Sequence, residues 1–453
     1  MPKEERREPV LMPEHPVWSE AEALIEARRC LYCFDAPCTR GCPAELDVAE
    51  FIRSIASGAF RSAARLVLEA NPLGETCGCV CPTEVLCEGE CVLSRMDGQR
   101  PIAVGRLQRF AVHWARNRNV PLFQLSPPTG KRIALIGAGP ASLACAHELA
   151  RFGHTPVLFE RDPLPGGLNR TAISPLKMDS ALPLAEADWL LRTGIELRCG
   201  VTVGRDITFA DLERDHDAVF IGAGQGPDER LGVRGEDAEG VLGAIDFLNR
   251  IKSGNLSPPL PWQRVLCVGG GNSAVDAART LRDLGVPEVM LVYRRGEEQM
   301  RVYPADWRAA KIAGVTASFL TLPIEVRVRN GRAWGLRCVR MRLDDPDESG
   351  RPRPVAVPDS EHDIAADAIV VAIGQSGPRD LLPGLPPQIG FQGSRIEVCQ
   401  DTGATSRPGY YAGGDCVSGG AEVVNAAAEG RRAARAIDRY LKERGTESWQ
   451  TSR

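Results

Sequence analysis

The chain has 453 residues, of which 43% are hydrophobic and 25% charged, and its net charge is −4. This length predicts two or three domains of an ordinary globular protein, and the charge provides no basic surface for nucleic acid or an anionic membrane. The N-terminal residues lack the apolar stretch of a signal peptide, and no apolar run is long enough to span a bilayer, so we expect a cytoplasmic location.

Cysteines are concentrated near the N-terminus, where nine of the fifteen lie between Cys30 and Cys91. Since the cytosol keeps thiols reduced, clustered cysteines there indicate metal binding or redox chemistry rather than disulfides. Both runs contain a Cys-Pro step, and closely spaced thiolates are typical of iron–sulfur clusters. The first run has the cysteines Cys30, Cys33, Cys38 and Cys42, and the second has Cys77, Cys79, Cys81, Cys87 and Cys91.

Structural zinc is the alternative, but zinc favours two Cys-x-x-Cys pairs or added histidine. Only one such pair occurs, and His15 and His113 are the only nearby histidines. In the bacterial ferredoxin pattern the cysteine before proline binds the other cluster, so Cys42 is expected in the second cluster. The scattered cysteines are expected to be packing residues: Cys145, Cys199, Cys267, Cys338, Cys399 and Cys416.

The cysteine-rich region is predicted to be helical. Apolar residues recur at helical spacing between the two runs, at Val48, Phe51, Ile52 and Ile55. A second helical stretch should end before Asn71-Pro72, because the residue before proline disfavours helix. We therefore predict a helical domain with two 4Fe–4S clusters over 1–125, followed by a linker at 126–130.

The pattern then changes to α/β with a dinucleotide-binding loop. A buried strand at 132–136 leads into a glycine loop and a helix, and a second strand ends at Glu160. Such a loop places phosphates at a helix N-terminus, and an acid about twenty residues later accepts from ribose hydroxyls. The alternative is a tight turn without a ligand. The loop residues predicted to bind the cofactor are Gly137, Ala138, Gly139, Pro140 and Ala141.

Two further segments favour FAD at this first site. Gly167 and Leu168 follow the second strand in a Pro-Gly-Gly-Leu sequence, as is common in flavoproteins. Near the C-terminus a strand leads into Gly414 and Asp415, followed by a helix at 421–436, which suits an acid at the ribityl chain. Asp415 could instead be a helix cap.

The same strand–loop–helix–strand plan occurs a second time, with its glycine loop at 269–271. Its second strand is followed by Arg294 and Arg295 where the first site has Glu160, and positive charge there suits the 2′-phosphate of NADPH. Arg301 could add a further charge. The alternative is a solvated arginine pair. The other residues predicted to bind this nucleotide are Gly270, Gly271, Asn272, Ser273, Ala372, Ile373 and Gly374.

Two similar strand-plus-glycine segments, at 218–224 and 368–374, indicate where the chain passes between the nucleotide domains. The simplest layout inserts the NADPH-binding domain, 229–374, into a discontinuous FAD-binding domain, 130–228 and 375–445. The predicted fold class is therefore α/β, with a helical iron–sulfur domain followed by two Rossmann-like domains.

In order and spacing, these motifs resemble one flavoprotein family. It includes the small (beta) subunit of NADPH-dependent glutamate synthase and the electron-input half of dihydropyrimidine dehydrogenase. The resemblance extends from about Cys30 to about Tyr440. It is most specific at 30–42, at 71–91 and at 104–110. It implies an adrenodoxin-reductase-like pair of nucleotide domains behind the iron–sulfur domain.

The resemblance also implies a ligand set. Carried over, one 4Fe–4S cluster binds Cys30, Cys33, Cys38 and Cys91, and the other binds Cys42, Cys81, Cys87 and Gln108. Cys77 matches a cysteine that is not a ligand. Glutamate synthase small subunits tend to have glutamate at the position of Gln108, so this glutamine favours the pyrimidine enzyme. Lys177 matches a contact near the flavin, although its loop departs from the family sequence.

By this resemblance the chain oxidises NADPH at FAD and passes electrons through two clusters to a partner subunit that carries an FMN barrel. A hetero-oligomer with a pyrimidine-reducing partner is favoured, and the glutamate synthase subunit is the alternative. We assign no catalytic side chain, because the cofactors carry the chemistry. An iron–sulfur redox sensor has no DNA-binding motif in its favour. A disulfide reductase would need a Cys-x-x-Cys pair inside a nucleotide domain, and none follows residue 91.

Overall fold

A computed structural model describes residues 16–346 and 350–450, and the side chains of all these except 444–450. The described chain forms two compact units. The larger unit comprises 16–170, Ser180–Gly226 and 377–450, and the smaller unit comprises Thr171–Asp179 and Pro227–Ser376. Within the described residues, no helix combines the length and apolarity that crossing a membrane requires.

The N-terminal part of the larger unit is helical, as predicted. Its helices are α1 (Glu20–Ala27), α2 (Pro37–Arg40), α3 (Val48–Ala56), α4 (Phe60–Ala70), α5 (Gly74–Val80) and α6 (Val104–Asn117). The predicted apolar stripe of α3 is buried, and it packs with α4 and α6 into one core. Helix α4 ends immediately before Asn71, as its proline signal predicted.

The rest of the larger unit is built on a parallel sheet. Its elements before residue 227 are β1 (Arg132–Ile136), α7 (Pro140–Arg151), β2 (Thr155–Glu160), α8 (Leu168–Thr171), α9 (Ala181–Leu191), β3 (Glu196–Cys199), α10 (Phe209–Asp215) and β4 (Ala218–Ile221). Strands β1, β2 and β4 are apolar and mostly buried, as expected of a parallel sheet that helices cover, whereas the edge strand β3 is more exposed.

The smaller unit repeats this plan and adds an antiparallel sheet. Its elements are β5 (Val241–Gly243), α11 (Ala244–Lys252), β6 (Arg264–Val268), α12 (Asn272–Asp283), β7 (Glu288–Val292), α13 (Pro304–Ile312), β8 (Thr316–Ser318), β9 (Thr321–Arg329), β10 (Arg332–Pro346), β11 (Pro352–Ala356), β12 (His362–Ala365) and β13 (Ala368–Val371). The parallel sheet has the order β5–β13–β6–β7–β8. Strand β10 pairs antiparallel with β9, β11 and β12, an arrangement that the sequence did not predict.

The chain then returns to the larger unit. The returning elements are β14 (Phe391–Gln392), β15 (Arg395–Ile396), β16 (Tyr410–Ala412), α14 (Asp415–Ser418) and α15 (Val423–Gln450). Strand β16 joins the first sheet, whose order is β16–β4–β1–β2–β3. One nucleotide domain is therefore inserted into the other, as predicted. The last helix begins two residues later than predicted and continues well beyond residue 436.

Candidate cofactor sites

Four cysteines line one cavity in the helical region. Cys30 and Cys33 lie in the loop after α1, Cys38 lies in α2, and Cys91 comes from the far end of the second run. The rest of the lining is mostly apolar, with Val48 and Ile52 of α3 among it. The structure thus gathers the set carried over for the first cluster. A thiol-lined apolar cavity fits the sulfur-ligated cluster chemically.

A second group of thiols surrounds Cys81. The Cys81 thiol is close enough to interact electrostatically with the thiols of Cys42, Cys77 and Cys87. It also forms a side-chain hydrogen bond with Cys77. Gln108 is buried on α6, and its amide nitrogen donates to the Gly74 carbonyl at 2.7 Å. The structure therefore brings the three predicted cysteines together and adds Cys77. Gln108 is held beside α5, the helix that carries Cys77 and Cys79.

Burial raises the pKa of several of these thiols. It raises the pKa of Cys38 to about 11, with the neighbouring Cys91 and Cys30 adding to the effect. Burial also raises the pKa of Cys42 and of Cys87. Because ligand thiols must lose their protons, cluster binding at these groups is coupled to proton release. Among the described residues, no three side chains of the metal-binding types are placed to share a single ion.

The two thiol groups lie in different packing environments. Cys42 and Cys81 pack against the core of the first nucleotide domain, where Cys77 is fully buried. Cys30, Cys38 and Cys91 pack within the core of the helical region, which Cys42 and Cys87 also contact. The second group is therefore the one adjacent to the first nucleotide domain.

A buried carboxyl joins that domain to the helical region, and the sequence did not reveal it. Glu186 on α9 is fully buried, and its Oε1 accepts from the backbone N–H groups of Glu75 at 2.9 Å and Thr76 at 3.4 Å. Burial, with the neighbouring Glu75 charge, raises the pKa of Glu186 to about 8 even though these N–H groups donate to it. Nothing in the sequence distinguishes it from an exposed helical glutamate.

The first glycine loop has the geometry that a dinucleotide requires. Gly137 has a φ of +86°, and a Cβ there would lie 2.6 Å from the Gly222 carbonyl. Gly139 is the N-cap of α7, and a Cβ there would meet no atom within 4 Å, so the space beside it is open to a phosphate. Pro140 begins α7 and Ala141 is buried behind it. This cradle fits a pyrophosphate.

Glu160 ends β2 as predicted, and its carboxylate is part of the loop. Its Oε2 accepts from the Ala138 N–H at 2.7 Å, and its Oε1 accepts from the Asp162 N–H at 2.9 Å. A carboxylate has about four lone-pair sites, so these two bonds leave capacity for a ribose hydroxyl. Gly167, at a φ of +53°, lies against Gly139, where a Cβ would be 3.0 Å from the Gly139 Cα; Leu168 begins α8.

The C-terminal acid is placed at the same end of the sheet. Gly414 has a φ of +79°, and its N–H donates to Glu429 Oε2 at 2.6 Å. Asp415 follows it, and burial raises the pKa of Asp415. Its Oδ1 accepts from the Ala421 N–H at 3.3 Å, before the start of α15. The N-cap of α14 is Gly414 rather than Asp415.

The second glycine loop is equally constrained. A Cβ at Gly269 would lie 2.3 Å from the Ala372 carbonyl, and one at Gly270 would lie 2.5 Å from the Tyr293 ring. Gly271 is the N-cap of α12, and the nearest atom to a Cβ there is 4.0 Å away. Asn272 accepts from the Tyr303 N–H at 3.2 Å, and Ser273 is exposed. The open side of this loop fits a phosphate.

The three predicted arginines have different surroundings. Arg294 and Arg301 are exposed, and the Arg301 N–H donates to the Gly270 carbonyl at 2.8 Å. Arg295 is only 6% exposed, and its Nε donates to the Pro352 carbonyl at 3.1 Å. The Arg294 guanidinium is therefore at the surface, whereas the Arg295 guanidinium is buried within the smaller unit.

Two further predicted contacts have distinct positions. The Lys177 ammonium lies 2.8 Å from Asp276 and 2.8 Å from Asp306, both within the smaller unit. Its predicted contact near the flavin stays a prediction. Ala372, Ile373 and Gly374 follow β13, where the Gly374 carbonyl accepts from the Glu229 N–H at 2.9 Å.

The six scattered cysteines differ in solvent exposure. Four of them are buried packing residues as predicted, at Cys145, Cys267, Cys338 and Cys416. Cys199 is half-buried. The packing prediction is wrong for Cys399, which is exposed because it lies in a surface turn whose Thr402 and Gly403 N–H groups donate to its carbonyl.

Two protein families match the chain. Residues 11–120 match the family described as dihydropyrimidine dehydrogenase domain II, 4Fe–4S cluster, and residues 131–430 match the pyridine nucleotide-disulphide oxidoreductases. Solved structures show the same fold. FprA of Mycobacterium tuberculosis in complex with NADPH has a TM-score of 0.59 at 19% identity, over 71% of this chain and 86% of that one. Thioredoxin reductase of T. acidophilum has a TM-score of 0.53 at 21% identity, over 69% and 98%.

These matches define the class: the chain is a pyridine nucleotide-dependent oxidoreductase with an N-terminal 4Fe–4S domain. It belongs to the family that includes the glutamate synthase [NADPH] small chain of Escherichia coli, which is 35% identical over 94% of this chain and 93% of that protein. The predicted family, fold class and cofactors, namely FAD, NADPH and 4Fe–4S clusters, are confirmed.

Other relatives have different names. The NAD-dependent dihydropyrimidine dehydrogenase subunit PreT of Escherichia coli is 33% identical over 94% of this chain and 96% of that protein. The NADP(+)-dependent formate dehydrogenase subunit beta of Moorella thermoacetica is 36% identical over 91% of this chain, which spans 61% of that longer protein. The family is thus established, whereas the relatives' names point to several different reactions.

Proposed function

We propose that the chain is the electron-input subunit of a larger oxidoreductase. With its cofactors bound, it oxidises NADPH at FAD and transfers the electrons through two 4Fe–4S clusters to a catalytic partner subunit. The observation that carries this proposal is the cavity formed by Cys30, Cys33, Cys38 and Cys91, which belongs to the same compact unit as the first glycine loop. We propose a cytosolic location, where these thiols stay reduced.

The first nucleotide domain, 130–228 and 375–445, is proposed to hold FAD. The N-terminus of α7 and the open face of Gly139 receive the pyrophosphate, and Glu160 accepts from the ribose. Asp415, at the end of the returning strand, would accept from the ribityl chain. No side chain is proposed to act as an acid or base, because the protein's part is positioning and electrostatics.

The second domain, 229–374, is proposed to hold NADPH. The loop Gly269–Gly271 and the N-terminus of α12 receive the pyrophosphate, while Arg294 and Arg301 contact the 2′-phosphate. A guanidinium is always charged and matches phosphate geometry, which supports NADPH over NADH. Arg295 is proposed to have a supporting role, because its Nε already donates to Pro352.

Packing supports an order for the two clusters. The site formed by Cys42, Cys81, Cys87 and Gln108 is proposed to receive electrons first, because Cys42 and Cys81 pack against the core of the FAD-binding domain. The site of Cys30, Cys33, Cys38 and Cys91 is then the exit. Leu31 and Phe34 in the loop of this site are exposed apolar side chains, and Phe34 is fully exposed. We propose that the partner's redox subunit docks on them.

The partner is proposed to carry an FMN barrel and to reduce a pyrimidine. The support is Gln108, since an amide at that position is the feature that favours the pyrimidine enzyme over glutamate synthase. The alternative, the small subunit of a glutamate synthase, rests on the similar identity of those relatives. In both cases a hetero-oligomer is expected.

Anaerobic spectroscopy of the purified chain tests the proposal. Flavin absorbance should bleach on addition of NADPH, with broad iron–sulfur absorbance beneath it. Iron and acid-labile sulfide should each approach about eight per chain, the content of two 4Fe–4S clusters. Cys30→Ser should remove the spectrum of one cluster, whereas the matched Cys79→Ser variant should keep both. Stoichiometric zinc without sulfide, or a flavin that NADPH leaves oxidised, would rule the proposal out.

A further inference from the structure

A fourth arginine, from the residues just before β11, lies at the end of β7. Arg351 lies immediately before β11, and its Nη2 donates to the Tyr293 hydroxyl at 3.1 Å and to the Gln299 carbonyl at 2.7 Å. The Tyr293 hydroxyl also donates to the Gln299 carbonyl, at 3.0 Å. These three contacts fix the Arg351 guanidinium against the segment that follows β7.

That segment contains the proposed 2′-phosphate contacts. Tyr293 directly precedes Arg294, and Gln299 is two residues before Arg301. The Tyr293 ring also packs beneath Gly270 of the glycine loop, where a Cβ would be 2.5 Å from the ring. Arg351 is therefore attached to residues that neighbour both exposed arginines and the phosphate-binding loop.

A hydrogen bond from Arg295 holds the start of β11 near the end of β7. The Arg295 Nε donates to the carbonyl of Pro352, the residue after Arg351, at 3.1 Å. Because Arg295 is buried, this bond ties the start of β11 to the end of β7. The arginine that the sequence predicted to contact the nucleotide thus positions another arginine, which comes from a distant part of the chain.

We propose that Arg351 is a specificity-determining residue for the phosphate on the adenosine ribose. The proposal rests on the proposed NADPH site at Arg294 and Arg301. A guanidinium keeps its charge at any physiological pH, so Arg351 adds positive potential where the 2′-phosphate carries about two negative charges. A nucleotide without that phosphate gains little from this charge.

The test is calorimetric titration of the cofactor-loaded chain with 2′,5′-ADP and, in parallel, with 5′-ADP. Arg351→Ala should weaken 2′,5′-ADP binding about tenfold, the effect of one charge-assisted contact, and change 5′-ADP binding by less than about twofold. Arg351→Lys, which keeps the charge, should recover part of the affinity for 2′,5′-ADP. Arg353→Ala is the matched control, since Arg353 is exposed in β11, two residues after Arg351.

An Arg351→Ala variant that weakens both ligands equally, or neither, would overturn the inference. Arg294→Ala and Arg301→Ala separate this failure from failure of the proposed function. If those variants lose 2′,5′-ADP selectively while Arg351→Ala does not, the NADPH site stands and only the role of Arg351 falls. If none of the three variants is selective, the proposed site itself is wrong.

Discussion

At the scale of single residues, the helical region and the first nucleotide domain are joined by buried polar groups. Glu186 accepts hydrogen bonds from the backbone N–H groups of Glu75 and Thr76 in α5. The Glu75 carboxylate in turn contacts His113 at 2.7 Å and Arg116 at 2.8 Å. Burial alone would raise the pKa of Glu75, but these two bonds outweigh it and lower the pKa. Glu75 is therefore ionised at neutral pH, whereas the neighbouring Glu186 retains its proton.

Glu186→Gln should change how stability depends on pH. The folded protein retains the Glu186 proton up to about pH 8, whereas the unfolded chain releases it near the ordinary value of 4.5. Folding therefore binds a proton, and this carboxyl reduces stability progressively as pH rises from 4.5 to 8. Relative to wild type, the glutamine variant should gain stability at alkaline pH, by on the order of 5 kcal/mol at most.

Denaturant unfolding at pH 6 and pH 9 measures this effect. The difference in stability between Glu186→Gln and wild type should be larger at the higher pH. Asp188→Asn, an exposed carboxyl on the same helix, is the control and should show no such trend. Equal differences at both pH values would mean that Glu186 is ionised in the folded protein.

The proposed role of Gln108 as a cluster ligand can be tested separately. Its amide nitrogen is already committed to the Gly74 carbonyl, which directs the amide group toward α5. Gln108→Ala should alter the paramagnetic resonance of one reduced cluster and leave the other unchanged. Gln108→Glu should keep both clusters, with a lower reduction potential for one, because an anionic ligand disfavours added negative charge. The exposed Gln99→Ala is the control, and an unchanged spectrum in Gln108→Ala would show that Gln108 is not a ligand.

At the scale of elements, the first glycine loop depends on a helix from the opposite end of the chain. Helix α15 packs on α7, and the crossing occurs at Gly430, where a Cβ would lie 2.0 Å from the Ala141 carbonyl. Only glycine permits this approach without a shift. The crossing therefore fixes the first turn of α7, whose N-terminus forms the proposed phosphate site.

Gly430→Ala should displace α15 from α7 and weaken FAD retention. Overpacking of this kind typically costs about 1–3 kcal/mol, and the methyl group here would meet backbone rather than a flexible side chain. The thermal midpoint should fall, and more flavin should be released on gel filtration than from wild type. Arg439→Ala, on the exposed side of the same helix, should change neither. Full retention of flavin by Gly430→Ala would mean that the crossing is looser than its geometry indicates.

The elements that sequence patterns predicted were those with strong local signals. Both strand–loop–helix–strand units were found because their apolar runs and glycine loops are local. The antiparallel strands β9 to β12 were missed because β10 is rich in arginine and aspartate, which obscures the apolar alternation of a strand, although its partners are neighbours in the chain. Arg351 was missed for a different reason, since only tertiary structure places it beside Tyr293, which is far away in the sequence.

At the scale of the whole molecule, the proposed function gives each domain-sized segment of the described chain a cofactor to hold. An FMN barrel would need roughly 250 residues with eight strand–helix repeats. Both parallel sheets here are instead arranged around a glycine loop at a helix N-terminus. Under the proposed function the substrate-reducing centre lies outside these residues, and electrons leave through the helical region.

This arrangement predicts that the 453-residue chain alone reduces artificial dyes with NADPH but does not reduce uracil or a glutamine-derived substrate. Phe34→Ser should impair turnover with the co-purified natural partner while sparing dye reduction, because it removes apolar contact at the proposed exit without touching a ligand. Ile312→Ser is the matched control, an apolar side chain 82% exposed in the smaller unit, and should affect neither assay. Reduction of uracil by the purified chain without a partner would overturn the assignment, because it would require a substrate site within these residues.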